Sequence, residues 1–166
     1  KDLETLQPIM GNFLKKNGCW FHHVGSIDDG KQIEDLIGIN KNIVTKKPLV
    51  SLATYPLMFT DFDIGVVPLS KNDFNEAKSF IKGLEYVAAG IPFVAADSYE
   101  YQYLHSHGVG RIASNEDEWE KHLTELLDPQ VRFNDAKNNW KIVNKLFSIK
   151  KRGLEWHNIM SLFYDH

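Results

Sequence analysis

Residues 63–97 read DIGVVPLSKNDFNEAKSFIKGLEYVAAGIPFVAAD. The opening carries a continuous apolar run from Ile64 to Val67, closed by Pro68, which is the pattern of a strand covered on both faces. FVAAD at the other end is a second strand of the same kind. The segment between them reads as a loop, LSKNDFNEAKS, leading into a helix that stops at Gly90 with Pro92 just beyond. Strand, helix and strand in that order make a βα unit and imply parallel pairing.

The same alternation extends outward. Upstream, Leu3, Leu6, Met10, Phe13 and Leu14 fall at helical spacing over residues 3–14, with Pro8 bending that helix or moving its start later. CWFHHVG then reads as a short buried strand closing on Gly25, INKNIVT as another strand, and YPLMFTDF as a short helix. Downstream come a short helix around Tyr101 to Ser106 and a brief VGRIA strand. Ser114 with Asp117 resembles a capping box for a helix whose Trp119, Leu123, Leu126 and Leu127 share a face. Asp128-Pro129 breaks it. A long helix bearing Val131, Ala136, Trp140, Val143 and Phe147 follows, then a last one after Gly153 with Leu154, Trp156, Ile159 and Leu162.

The pattern predicts an α/β fold, a Rossmann-like parallel sheet flanked by helices, with extra helices appended at the C-terminal end. Residues 1–147 are expected to form the sheet domain, and residues 148–166 a terminal helix that packs on a partner domain or leaves an apolar patch. A chain of 166 residues buries roughly 70% of its unfolded surface and needs no staples. The chain opens on Lys1 and on a helix, where such folds open on a strand, so we expect a fragment or a processed chain whose first strand lies upstream.

Composition narrows the partners. A formal charge of −3 with 25% charged residues gives no overall field for nucleic acid or an anionic membrane, so any anion must be met locally. The single cysteine, Cys19, excludes an internal disulfide framework and suits a reducing compartment. No apolar run approaches the roughly 20 residues of a membrane span, and the N-terminus lacks the order of a signal peptide. The expected location is cytoplasmic.

Within the helix that stops at Gly90, Phe80, Ile81, Leu84, Val87 and Ala88 make one apolar stripe toward the sheet. Lys78, Lys82, Glu85 and Ala89 fall opposite, with both lysines in the first turns. Helix N-termini carry roughly half a positive charge and four unpaired N–H groups, so cations there are unfavourable unless an anion joins them. One reading is a phosphate site: amides around Lys78 and Ser79 hold phosphate oxygens, the lysines neutralise them, and Glu85 accepts from two ribose hydroxyls. The loop follows the carboxyl end of a strand, where open α/β sheets bind ligands. The other reading is an exposed Lys82–Glu85 pair, with Lys78 paired to Glu76 or Asp73. No G-x-G-x-x-G or Walker loop is present.

DIGVVPL, FNEAKSFIKGLEYVAAGIPFVAAD and GVGRIASNEDEWEKHLTELLDP together resemble the C-terminal, donor-binding half of GT-B glycosyltransferases of the group 1, family 4-like set. The likeness covers most of residues 52–130 and favours the phosphate reading. It implies that Glu85 binds the ribose hydroxyls of a nucleotide diphosphate sugar, and that Lys78 and Ser79 sit where the backbone approaches the diphosphate. Lys82 would lie beside the same phosphates, Gly25 matches the Val-Gly loop at the cleft rim, and Tyr55 or its neighbours would approach the base. Ala77 stands where retaining members carry a glutamate, with Glu76 adjacent, so retention or inversion is left open.

The resemblance also implies a missing N-terminal domain that holds the acceptor, whether glycan, lipid or protein, supplies any general base and mediates any membrane association. Lys82 and Lys78 are then the catalytic candidates, because negative charge builds on the departing diphosphate and cations there favour the transition state. Where they suffice, no metal or other cofactor is required. The alternative from another class is a flavodoxin-like binding or interaction module without chemistry, in which Lys78, Lys82 and Glu85 are exchangeable. A receiver-like module fits less well, since no acidic cluster ends the early strands.

Other constellations read as structural. Asp61 and Asp63 form an Asp-x-Asp, but they precede the IGVVP strand, whereas a metal-binding pair should follow one, so a helix end and strand entry are expected. Asp28-Asp29 beside Gly30 reads as a turn. His22 and His23 point to opposite faces of their strand, His105 and His107 lie in a solvated loop, and Cys19, Trp119, Trp140 and Trp156 are expected in the core.

Overall fold

The computed structural model describes residues 1–25 and 30–164. The turn expected at Asp28-Asp29 lies outside them. Helix α1 spans Gln7–Asn17 behind a 3-10 turn at Leu3–Leu6; Pro8 sits in its first turn, where no N–H is missed, and Gly18 closes it at φ 64°. Strand β1 (Phe21–Val24) pairs in parallel with β2 (Val44–Lys47), Phe21 opposite Val44. Between them lies α2 (Ile33–Ile37), whose Ile33 and Ile37 are fully buried. The sequence reading missed α2, because five residues are too few to display a helical period.

A 3-10 helix at Tyr55–Asp61 leads into β3 (Gly65–Val67). Helices α3 (Asp73–Glu76) and α4 (Ile81–Ala88) follow, then β4 (Phe93–Ala96), α5 (Tyr99–Ser106), β5 (Arg111–Ala113) and α6 (Glu116–Glu125). The long α7 (Pro129–Leu146) and α8 (Ile149–Tyr164) complete the chain. Strands β3, β4 and β5 form a parallel sheet with β4 in the centre, and all four β4 residues are buried, as its unbroken apolar run requires.

Two features of the expected architecture differ. The strands form two parallel sheets, β1–β2 and β3–β4–β5, and no ladder joins β1 to β3 among the described residues. Side chains occupy the junction: Phe62 lies 6.0 Å from His22, and Phe59 meets Tyr86 edge-on at 5.7 Å. The loop expected over residues 69–79 contains a short helix, α3, because Asn72 caps a first turn that closes at Ala77, and α4 begins at Ile81, just past that loop.

The buried face of α4 also differs from the expected stripe. Gly83 and Val87 are buried and Leu84 half-buried, whereas Ile81 and Ala88, expected inside, are exposed. Gly83 lets the helix approach closely: a Cβ there would stand 2.8 Å from the Phe93 ring and 3.1 Å from that of Tyr101. Gly65 does the same in β3, where a Cβ would fall 2.6 Å from the Tyr86 ring.

Helix caps also shift. Asn115, not Ser114, caps α6 by accepting from Glu118 N–H at 3.0 Å, and the Glu118 carboxylate reaches back to Ser114 N–H at 2.7 Å. Trp119, Leu123 and Leu126 face the core as expected. Asp128 caps α7 through Gln130 N–H at 2.7 Å, so the Asp-Pro pair starts a helix as well as ending one. Helix α8 starts at Ile149, and Gly153 lies within it.

Trp140 and Trp156, read as core, are exposed at 54% and 66%; only Trp119 of the three is buried. Ile149, Leu154, Ile159 and Leu162 of α8 are likewise exposed. Helical spacing identifies a face, but the burial of that face depends on what stands opposite. Among the described residues no helix is long and apolar enough to cross a membrane.

Candidate functional site

The carboxyl ends of β1 and β3, the 3-10 helix at Tyr55–Asp61 and the start of α4 surround a cleft of 470 Å³. Lys78, Ser79, Lys82 and Tyr55, four of the residues singled out from sequence, all line it. Val24 lines it too, whereas its neighbour Gly25, expected at the rim, does not. Gly25 instead holds φ 119° and donates its N–H to Lys47 O at 3.0 Å, extending the contact between β1 and β2 by one residue.

Tyr55, Lys82 and Glu85 meet around one hydroxyl. Tyr55 donates to Glu85 Oε2 at 2.8 Å, and Lys82 Nζ donates to Tyr55 Oη at 2.7 Å and to Glu85 Oε2 at 2.9 Å. The Lys82 ammonium also stands 5.2 Å from the centre of the Tyr55 ring. Lys82 and Glu85 come together because positions three apart in α4 share a face, and the 3-10 helix carries Tyr55 across to them.

Burial alone would depress the Lys82 ammonium, but hydrogen bonds from it to Tyr55 and Glu85 overcome that and raise its pKa above the usual lysine value. Burial raises the Tyr55 phenol as well, the neighbouring Lys82 only partly offsetting it. Both groups therefore keep their protons near neutrality. The arrangement holds a cation and a carboxylate together; Glu85 itself does not line the cleft and is tied to it through the bonds of its Oε2 to Tyr55 and Lys82.

The expected Lys82–Glu85 pair thus exists. Lys78, however, pairs with neither Glu76 nor Asp73. Its Nζ lies 3.5 Å from Asp2 Oδ2 and 5.9 Å from the centre of the Phe74 ring. Glu76 instead accepts from Tyr99 N–H at 3.1 Å, at the start of α5. Lys78 also stands before α4 and not in its first turn; only Lys82 occupies that turn. The N-cap of α4, Phe80, offers no side-chain acceptor.

Sequence reasoning did not find Asp2, Ser70 and Asn75, which form a network beyond the end of β3. Asp2 Oδ1 accepts from Ser70 N–H at 3.0 Å, Ser70 Oγ at 2.7 Å and Asn75 Nδ2 at 2.7 Å. Burial pushes the Asp2 carboxyl up, but these hydrogen bonds and the Lys78 charge hold it below its ordinary value. The partners lie about seventy residues apart, so no local spacing could announce them.

Asp61, Asp63, His105 and His107 have structural partners. Asp61 forms an ion pair with Lys47, and Asp63 lies 3.8 Å from Arg132. His22 and His23 both line the cleft; burial and the Lys46 charge lower the His23 pKa, and His22 Nδ1 is buried without a hydrogen-bond partner. His105 belongs to α5 and bonds Gly110 O at 2.9 Å, while His107 packs on Tyr103 at 4.7 Å. Cys19 is half-buried. Among the described residues no three His, Cys, Asp or Glu side chains cluster to hold a metal. A second cavity, of 350 Å³, opens at the amino ends of β1 and β3 and contains none of the lysines. No protein-family model and no curated protein matches this chain.

Proposed function

We propose that the chain is the donor-binding half of a GT-B-type glycosyltransferase, binding a nucleotide diphosphate sugar for transfer to an acceptor held by a separate N-terminal domain. The observation that carries this reading is the convergence of Lys78, Ser79, Lys82 and Tyr55 on one cleft beyond the strand ends, with Glu85 bonded to two of them. The diphosphate would lie against Lys78, Ser79 and Lys82, and the ribose against Glu85. In the reaction the bond from the anomeric carbon to the diphosphate oxygen breaks and its electron pair stays on the phosphate. A bond from that carbon to the acceptor oxygen forms, and the acceptor proton passes to a base outside this chain.

The lysines contribute by stabilising charge that is larger on the leaving diphosphate than on the bound donor. The exposed apolar side chains of α8 suit a helix that packs on the acceptor-holding domain. The cytoplasm, where nucleotide sugars are made, is the proposed setting. The competing reading, an interaction module without chemistry, draws on the internal partners of both lysines, Asp2 and Glu85.

Isothermal titration with UDP, GDP and ADP separates the two. The donor-site reading expects heat with at least one, and a loss of at least tenfold in affinity for Glu85→Ala, the size of a hydrogen bond to a charged group. A folded sample that gives no heat with any of the three overturns it.

A further inference from the structure

Asp2 does not itself line the cleft, although the next residue, Leu3, does, and Asp2 holds the segment that leads to Lys78. Its Oδ1 takes three donors, Ser70 N–H, Ser70 Oγ and Asn75 Nδ2, all within 3.0 Å. Asn75 is 3% exposed, and its amide also donates to Ser70 O at 2.8 Å. Asn72 adds a bond to Ser70 Oγ at 3.0 Å and caps α3 through Asn75 N–H at 2.9 Å. One carboxylate oxygen thus ties the loop after β3, at Ser70, to α3, at Asn75.

With Oδ1 saturated, Oδ2 has a set direction, and it faces Lys78 Nζ at 3.5 Å. That contact is long and runs through a single oxygen, and the Lys78 side chain is 44% exposed. An ion pair of this kind is weak and leaves most of the ammonium's hydrogen-bonding capacity unused. The adjacent Ser79 and the Lys78 side chain itself line the cleft. Asp2 therefore does two things at once: it orders the segment from Ser70 to Asn75, and it restrains the ammonium without neutralising it.

We propose that Asp2 is a positioning residue for anion binding, holding Lys78 at the mouth of the cleft so that a diphosphate meets a pre-oriented cation. The inference rests on the donor-site reading above. It assigns to the segment preceding α1 a part in ligand affinity that no local motif announces. Preorganisation of this sort lowers the ordering cost of binding without adding a direct contact.

The test is a double-mutant cycle between Asp2 and Lys78 in the full chain, read by titration with inorganic pyrophosphate and with whichever of UDP, GDP and ADP the unaltered chain binds best. Asp2→Ala is expected to weaken both ligands roughly tenfold, the scale of one charge-assisted hydrogen bond. Asp2→Asn, which keeps an acceptor for Ser70 and Asn75 but loses the charge facing Lys78, serves if Asp2→Ala does not fold, and should weaken them less. In the Lys78→Ala background neither change should matter further. Affinity for the parent nucleoside, which lacks phosphate, should not move, whereas general loosening of the fold would lower it too.

Equal or tighter binding of pyrophosphate and the diphosphate by both Asp2 variants overturns the positioning role while leaving the donor site standing. Full additivity with Lys78→Ala overturns it as well. If the unaltered chain binds none of the ligands, the donor-site reading and this inference fall together.

Discussion

Tyr55 and Glu85, thirty positions apart in the chain, share a 2.8 Å hydrogen bond whose donor oxygen also receives the Lys82 ammonium at 2.7 Å. The phenol therefore bridges two charges that would otherwise meet only across an exposed helix face. Tyr55→Phe removes the bridge and keeps the ring. We expect thermal stability to change by less than about 1.5 kcal/mol, the worth of a single hydrogen bond, and affinity for a nucleoside diphosphate to fall about tenfold as Lys82 and Glu85 lose their fixed orientation. Calorimetry on one preparation measures both, and an unchanged affinity removes Tyr55 from the site.

Gly65 has no room for a side chain. A methyl group there would stand 2.6 Å from the Tyr86 ring, which is wedged by Phe59 on one side and Phe93, at 6.3 Å, on another. Gly65→Ala is expected to cost about 1–3 kcal/mol by overpacking, seen as a lower urea midpoint with the slope unchanged. Tyr86→Leu in the same chain should recover part of that loss; additive losses would show that the ring is not the obstacle.

Tyr101 is 2% exposed, and its hydroxyl accepts from Gly83 N–H at 3.2 Å. Burial raises the phenol far above its ordinary pKa, so it stays protonated at any pH the fold survives. Tyr101→Phe leaves a donor in the first turn of α4 without this partner, at an expected cost of about 1–3 kcal/mol in urea unfolding.

The folded-state pKa of Asp2 is depressed, so its contribution to stability is present above the unfolded-state value and fades as pH falls through the folded one. The stability gap between the unaltered chain and Asp2→Asn should be constant from neutrality down to about pH 4 and close below that. Urea unfolding across that range measures it. A gap that widens on acidification would mean that the carboxylate, with Lys78 facing it, is not what the folded state retains.

Three of the four tryptophans, Trp20, Trp140 and Trp156, are more than half exposed, and Trp119 is 6% exposed. Iodide should quench most of the emission, and Trp119→Phe should abolish the resistant, blue-shifted remainder. A largely unquenched wild-type spectrum would mean that α7 and α8 are covered in solution.

Much of this molecule could be read from its residues. Continuous apolar runs marked β3 and β4, and Pro, Gly and Asp-Pro pairs marked helix ends, because those signals are local. Lys82 and Glu85 were legible for the same reason: they lie three apart on one helix. The short helix α3 inside the loop was not, since four residues display no helical period. The contacts of Asp2 with Lys78 and Asn75 carry no local signal either. Pairing across about seventy residues is a property of the packed fold and leaves no period in the chain. Trp140 and Trp156 failed for a related reason: periodicity says which side chains line up, and only a facing surface says whether they are covered.

The two walls of the cleft belong to different sheets, His23 and Val24 to one and Val67 to the other, and no backbone ladder stitches them together among the described residues. Aromatic rings from Phe59 and Phe62 fill the seam instead. Ring contacts can slide by fractions of an ångström, whereas a ladder must be unzipped bond by bond. A guest wedging into this seam would part the walls as a book opens along its spine, without fraying either page.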